Sequence, residues 1–496
     1  MDALFIAATM ARRGLLTPAR PDRVVRQFAS LGRWGFGLAG ELRQAAARSP
    51  QRVAVVDDER QVTYAELLDR SARLAAALPV TAGQRVGLLC RNSARMLEAL
   101  IGVSTLGADP VLINTGLSAH QLAEIAKAQD LTALIHDDEF TDRLGDVPNR
   151  IGEKQIDELI AATPRGLGTP PERPGRTIVL TSGTTGMPKG ARRPTPGGFS
   201  PLCSVIDRIP LHAGDRIMIA APLFHTWGYA GMQIALALRA TIVLRRRFDP
   251  AEVLTTLAAQ QVTALVAVPV MLQNLMDLPT GHAGLKAVAV SGSALPGGLA
   301  TRFMDRYGDV LYNLYGSTEA SWVSIATPAD LREAPTTAGR PPHGTRIRIV
   351  DGQIHVSNGM LFEGYTGQEA GSRTEVGTGD LGHLDDKGRL YVDGRADDMI
   401  VSGGENVFPA EVEDLLAALP QIREVAVIGV PDDDWGQRLA AYVVLRPGET
   451  LGADEIREHV RAHRARFSVP REVVFLDGLP RNATGKVLNR ELPRNF

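Results

Sequence analysis

The chain has 496 residues, more than one ordinary domain holds, and length alone implies about three folding units. Hydrophobic residues make up 44% and charged residues 22%, an ordinary globular balance, and a formal charge of −2 supplies no field to recruit nucleic acid. The two cysteines, Cys90 and Cys203, lie far apart, which excludes a disulfide framework or a Cys-based zinc site and suits a reducing compartment. No apolar run reaches about 18 residues, so no transmembrane helix is expected.

Residues 1–45 read as a helical leader. Its start, MDALFIAATMARRGLL, places the apolar stretch before Arg12 and Arg13, the reverse of a signal peptide. Two readings stay open for it: a short helix resting on a membrane surface, or one packed on the protein's own body. From Val62 helices and strands alternate. VTYAELLDRSARLAAAL carries helical spacing, GQRVGLLC reads as a strand, ARMLEALIGVSTLGA as a helix, and AHQLAEIAKAQDLTALIH as a helix then a strand. After the loop RGLGTPPERPGR come the strand TIVLT, then QQVTALVAVPVML, LKAVAVSGSALPGG and VLYNLYG. Such alternation predicts an α/β fold with parallel sheets covered by helices. From about 345 the strands RIRIV, QIHV and RLYV are short and close, predicting a small β-rich subdomain. PAEVEDLLAAL, EVAVIGV, LAAYVVL, ADEIREHVRAHRA and EVVFL then predict a compact α+β module. The expected division is a leader at 1–45, a large layered α/β domain at 46–396 and a small mobile C-terminal domain at 397–496.

The stretch richest in chemistry is Thr181, Ser182, Gly183, Thr184, Thr185, Gly186, Met187, Pro188, Lys189 and Gly190. Glycines let backbone N–H groups approach an anion, hydroxyls donate further bonds and the lysine adds charge, a set suited to phosphates. It is not a Walker A loop, because Pro188 separates the glycine from Lys189 and Gly190 follows where Ser or Thr is required.

The whole string resembles the signature loop of the acyl-adenylate-forming superfamily, which includes acyl-CoA synthetases, adenylation domains of peptide synthetases and beetle luciferases. Further motifs of that family follow in order: Tyr315-Gly316-Ser317-Thr318-Glu319, Thr378-Gly379-Asp380, Gly394-Arg395-Ala396-Asp397-Asp398, Ser402-Gly403-Gly404-Glu405-Asn406 and Pro480 to Lys486. Each short motif alone is more often a plain turn; the ordered set is not. The resemblance implies that the 181–190 loop holds the β- and γ-phosphates of ATP and that Tyr315 packs on adenine with Asn313 at its edge. It also implies that Thr318 contacts phosphate, Glu319 binds Mg2+, Asp380 holds the ribose hydroxyls and Arg395 assists at ribose or phosphate. Asp397 falls on the domain hinge, Gly403 and Gly404 on the loop beside the pantetheine arm, and Lys486 on the lysine that reaches the carboxylate and α-phosphate. Thr184, Glu319, His225 and Lys486 are the residues assigned to catalysis.

Two further segments resemble the acyl pocket. Pro222 to Gly228 places His225 near the substrate carboxylate, with Trp227, Tyr229 and Gly231 shaping the wall. Ser291 to Leu295 places Gly292 and Ser293 between adenine and the acyl group. No carboxylate follows Phe224 to pair with an α-amino group, which disfavours amino-acid substrates. Arg464 and Arg466 either meet CoA phosphates or decorate a helix end. The expected reaction is ATP-dependent activation of a carboxylic acid to acyl-AMP, then transfer to coenzyme A, with a medium- or long-chain fatty acid as first expectation. The alternatives are loading of a carrier protein and ligation of an aryl or other acid. The expected partners are small molecules, with no nucleic acid. The expected place is the cytoplasm, with the leader a candidate for peripheral membrane contact. The sequence leaves the oligomeric state and acetylation of Lys486 open.

Overall fold

The computed structural model describes residues 2–145, 147–166, 168–181, 189–279, 284–368, 371, 373–395, 398–402, 405–432, 435–482 and 485–494. Two sheets form the frame. The larger has eight strands in the order Ser324–Ala326, Leu311–Tyr315, Ala287–Val290, Ala264–Ala267, Arg216–Ile219, Thr241–Val243, Val53–Val56, Gln61–Thr63. Its interior pairs are parallel and its outermost pairs antiparallel. The second has six strands, Arg150–Ile151, Leu131–His136, Arg85–Leu89, Asp109–Leu112, Ile178–Thr181 and Lys189–Arg192, parallel except for the last pair.

One hydrophobic core spans both sheets and the helices between them. The helix Ala94–Thr105 is buried nearly all round, and Ser93 caps its start by accepting a hydrogen bond from the Met96 amide at 3.1 Å. The one carboxylate on it, Glu98, is fully buried between Arg60 at 3.0 Å and Arg70 at 2.6 Å, the pairing a buried charge requires.

The β-rich segment is a four-stranded antiparallel sheet, Arg346–Val350, Gln353–Ser357, Val376–Leu384 and Leu390–Arg395. Beyond it, the strands Ile400–Ser402, Glu405–Val407, Ile422–Asp432, Gly436–Leu445 and Glu472–Phe475 form a sheet with its own cores. The helices Pro409–Ala417 and Ala453–His463 pack on it. This C-terminal unit meets the large one through Arg423, which donates to Asp277 at 2.8 Å and to Asn274 at 3.2 Å.

The leader forms three helices, α1 (Asp2–Arg12), α2 (Pro21–Trp34) and α3 (Leu38–Arg48). The apolar start packs on the body. Met10 and Leu15 join the main core, Phe5 stacks on His343 with ring centroids 3.8 Å apart, and Arg12 pairs with Asp207 at 2.5 Å. Arg13 donates to the carbonyls of Ile206 and Asp207, satisfying the end of the helix Ser200–Arg208. Of the two readings of MDALFIAATM, the one packed against the protein is therefore the one observed. No helix among the described residues is long and apolar enough to cross a membrane.

Candidate active site

The parallel strands Arg216–Ile219, Ala287–Val290 and Leu311–Tyr315 all run their C-terminal ends to one edge of the large sheet. The segments 222–229, 291–295 and 315–319 begin just beyond those ends, where open α/β sheets place their ligands. From the second sheet, Thr181 and Lys189 face each other across the antiparallel pair that brackets the phosphate-loop motif. The Thr181 hydroxyl donates to the Lys189 carbonyl at 3.2 Å. Ser182, Gly183, Thr184, Thr185 and Gly186 lie outside the described residues, as do Asp397, Gly403 and Gly404.

The Tyr315–Glu319 turn is built on close contacts. A Cβ on Gly316 would come within 2.1 Å of the Ser321 carbonyl oxygen, so glycine is required there. Glu319 accepts a hydrogen bond from the Tyr365 hydroxyl at 2.8 Å, and Lys189 Nζ lies 5.6 Å from the centre of the same ring. Burial and the neighbouring carboxylate push the Tyr365 phenol up to about 12. Thus Tyr365, which sequence reasoning did not single out, joins the phosphate-loop lysine to the motif carboxylate. The Thr318 hydroxyl lies 2.9 Å from that of Thr226, at the start of the helix Thr226–Ala237.

Arg193 was also missed. It lies just past Lys189 on an otherwise unremarked stretch, and only folding buries it. Its guanidinium donates to the Thr318 carbonyl at 2.5 Å and to the Ser321 hydroxyl at 2.8 Å. Burial lowers its pKa, opposed by Tyr229 and Glu319. A buried cation is therefore held behind the turn that carries Thr318 and Glu319.

The residues expected at the ribose also converge. Asp380 and Arg395 are register partners on adjacent strands, with Arg395 Nη1 3.5 Å from Asp380 Oδ1. The Tyr315 hydroxyl donates to Asp380 Oδ2 at 2.5 Å, and burial together with that carboxylate raises the phenol's pKa. Asn313 is buried on the strand that ends in Tyr315.

Of the residues expected at the acyl pocket, His225 stands immediately before the helix Thr226–Ala237. Its ring is partly exposed as a whole, but Nε2 is enclosed and has no hydrogen-bond partner among the described residues. Burial depresses its pKa to about 4, so the ring is neutral at pH 7. Trp227 donates through Nε1 to the Ala267 carbonyl at 3.0 Å, and the Tyr229 hydroxyl lies 2.9 Å from that of Thr177. Both aromatics are buried, the polar end of Trp227 tied to the end of one strand and that of Tyr229 to the residue before another. Gly292 and Ser293 follow the strand Ala287–Val290, and Val268 side-chain carbon lies 3.5 Å from where a Gly292 Cβ would stand.

The loop carrying Lys486 reaches the same place. Gly485 has φ +79°, and a Cβ there would come within 2.3 Å of Val270 and 3.6 Å of Val268. Lys486 is exposed, its amide donating to Asn482 Oδ1 at 2.9 Å, and the loop base is held by Arg481 and Glu424 at 2.6 Å. Val268 thus has the pocket glycine on one side and the C-terminal loop on the other.

The AMP-binding enzyme family profile matches residues 42–366, and the profile of the AMP-binding enzyme C-terminal domain matches residues 411–486. The chain belongs to the AMP-binding enzyme family. It is similar to a 3-[(3aS,4S,7aS)-7a-methyl-1,5-dioxo-octahydro-1H-inden-4-yl]propanoyl:CoA ligase of Rhodococcus jostii, 32% identical over 91% of this chain and 97% of the relative. It is 33% identical to a feruloyl-CoA synthase of Amycolatopsis over 93% of this chain and 99% of that one. Among solved structures, the o-succinylbenzoate CoA synthetase of Bacillus subtilis in complex with its acyl-adenylate OSB-AMP matches with a TM-score of 0.80, at 30% identity over 91% of this chain and 97% of that one. The protein is an AMP-forming, acyl-adenylate-forming CoA ligase whose substrates are an acid, ATP and CoA. The relatives named here act on ring-bearing acids, so the alternative of an aryl or other acid has support that the fatty-acid expectation lacks.

The enzyme of this family works with Mg2+. The described residues hold no group of three or more His, Cys, Asp or Glu that would cage a metal. The donor set fits Mg2+ nonetheless, because this ion keeps several waters and takes one or two carboxylates plus substrate phosphates. Glu319, which shares Tyr365 with Lys189, would be the carboxylate to hold it, and the ion would neutralise phosphate charge as it develops.

Proposed function

We propose that the acid is compact and ring-bearing, an aryl or fused-ring carboxylic acid rather than a long-chain fatty acid. The observation that carries this reading is the pinned aromatic wall. Trp227 and Tyr229, which this reading puts in the wall of the acyl pocket, are both buried and both hydrogen-bonded at their polar ends, so their rings are held in place. A flat acid stacks on such a wall; a long alkyl chain needs a passage where these rings stand. The ring-bearing acids of the relatives support the same reading.

In this proposal the acid's carboxylate oxygen attacks the α-phosphorus of ATP and pyrophosphate leaves. His225, neutral, stands near the carboxylate in this reading and helps to orient it. Thr181, Ser182, Gly183, Thr184, Thr185, Gly186 and Lys189 hold the departing phosphates, and Lys486 offsets the charge that develops on the transferring oxygens. Asn313, Tyr315, Gly316 and Ser293 enclose the adenine, Thr318 meets phosphate, and Asp380 with Arg395 holds the ribose. The C-terminal unit then turns about Asp397, Lys486 leaves, and the loop at Gly403 and Gly404 enters. The CoA sulfur attacks the acyl carbonyl carbon, its proton goes to solvent, and AMP departs with the bonding electrons of the cleaved C–O bond. Positioning and electrostatics supply the catalysis.

The test is AMP and thioester formation from ATP, CoA and a panel of acids running from acetate to oleate, with cinnamic, benzoic and fused-ring propanoic acids included. The expected result is turnover highest on ring acids. A clear optimum among long fatty acids would overturn the reading and restore the fatty-acid one. Pyrophosphate exchange with no CoA product would point to a different acceptor.

A further inference from the structure

Helix α2 is built inside out. Only Gln27 and Leu31 of its fourteen residues are buried, and Gln27 turns inward to donate to Gln44 Oε1 on α3 at 2.7 Å. Its apolar side chains go the other way: Val25 is 67% exposed and Phe28 49%. Pro21, Val25, Phe28 and Gly32 follow one another at four- and three-residue steps, so they form a single stripe along the helix. Leu16, 50% exposed, leads into it. Among the described residues seven large apolar side chains are exposed, and four of these precede residue 30. A soluble surface normally scatters such groups singly.

The charge on this helix is predominantly positive. Arg20, Arg23, Arg26 and Arg33 stand against Asp22 alone, a net +3 on a chain whose formal charge is −2. Arg26 and Arg33, seven residues apart, share the exposed flank on one side of the stripe with Ala29 and Asp22. Arg33 has no ion-pair partner among the described residues, whereas Arg26 and Arg20 share Asp22 at 2.5 and 3.2 Å. The leader up to residue 41 also lies ahead of the family profile, so the shared catalytic fold does not account for it.

We propose that the outward face of α2 docks the enzyme on an anionic phospholipid bilayer. Val25, Phe28 and Leu16 enter the boundary between headgroups and acyl chains. Arg26 and Arg33 lie along the edge of the stripe, where their long stems let the guanidinium groups reach phosphate. A second copy of the chain is a poor occupant, because it would set the same positive row against itself. The contact lies on α2; of the apolar start, Phe5, Met10 and Leu15 are spent on the body, while Leu4 stays exposed. One helix with a few charges gives weak, salt-sensitive, reversible binding. The inference does not depend on which acid the site takes.

The full-length protein is sedimented with vesicles of phosphatidylcholine and with vesicles in which part of it is replaced by phosphatidylglycerol. Co-sedimentation with the phosphatidylglycerol vesicles only, falling as salt rises, is the expected result. The double variant Val25→Ser, Phe28→Ser should lower partitioning by about tenfold or more, and Arg33→Gln by about fivefold. Both should keep the wild-type melting temperature and the wild-type turnover of a water-soluble acid. Three results would overturn the proposal: no binding of the wild type to anionic vesicles, undiminished binding of the double variant, or a dimer in light scattering that the double variant abolishes.

Discussion

Replacing His225 by asparagine should make the protein more resistant to mild acid. In the folded state the enclosed Nε2 and its position at a helix N-terminus disfavour the imidazolium, and burial brings the pKa down to about 4 from an ordinary 6.5. Between those two values the unfolded chain binds a proton that the folded chain refuses. Stability is therefore full above pH 6.5 and falls as the pH drops through this window. Integrating the two titrations from pH 7 to pH 5 gives a loss of about 2 kcal/mol from this ring alone. The assay is urea denaturation of wild type and His225→Asn at both pH values. The variant should lose about 2 kcal/mol less than the wild type over the same interval, whatever its stability at pH 7. Equal losses would refute the reasoning. So would a ring proton signal, absent from the variant's spectrum, that titrates near pH 6.5. The same depressed pKa predicts that protonation of His225 puts no inflection in kcat near neutrality.

Lys486→Ala should slow adenylation, read as pyrophosphate exchange, by roughly a hundred- to a thousandfold, the cost of removing one preorganised charge from a transition state. Thioester formation from supplied acyl-adenylate should fall far less, and equal losses in both steps would count against a lysine that serves only the first. Arg193→Met removes the donors to the Thr318 carbonyl and the Ser321 hydroxyl; each such bond to a charged group contributes about 1.5–3 kcal/mol, and relief of the buried charge brings the expected net loss to about 2 kcal/mol. Its KM for ATP should rise as well, and a stability loss with unaltered KM would reduce the arginine to a structural role. Burial raises the thiol pKa of Cys90 and pushes that of Cys203 up to about 11, so neither should react with Ellman's reagent at pH 8 until the protein is unfolded. A native thiol signal would contradict that.

Much of the site was legible in the chain because its parts are local. The Thr181–Gly190 string, Tyr315 to Glu319 and Thr378 to Asp380 each carry their chemistry within a few residues, and the first two sit at the ends of strands whose apolar pattern is plain. The helix–strand alternation from Val62 likewise announced parallel sheets, since period and length are properties of short windows. Arg193, Tyr365 and Thr226 carry no such signal. Arg193 looks like any arginine at a strand end until the strand is laid beside the 315–319 turn. Tyr365 meets Glu319 from 46 residues away.

The sequence by itself determined the family and the order of its two profile-matched domains, and it singled out the residues proposed for the chemistry, because motif and periodicity are written in neighbouring positions. Tertiary structure alone decided which way each leader helix faces, since an amphipathic segment specifies a stripe but not what covers it. The body claimed the apolar start through Phe5, Met10 and Leu15, and left Val25 and Phe28 uncovered. It also decided that Val268 would have the pocket glycine on one side and the C-terminal loop on the other. That contact joins Gly292 to Gly485 across nearly two hundred residues, and only packing brings them together.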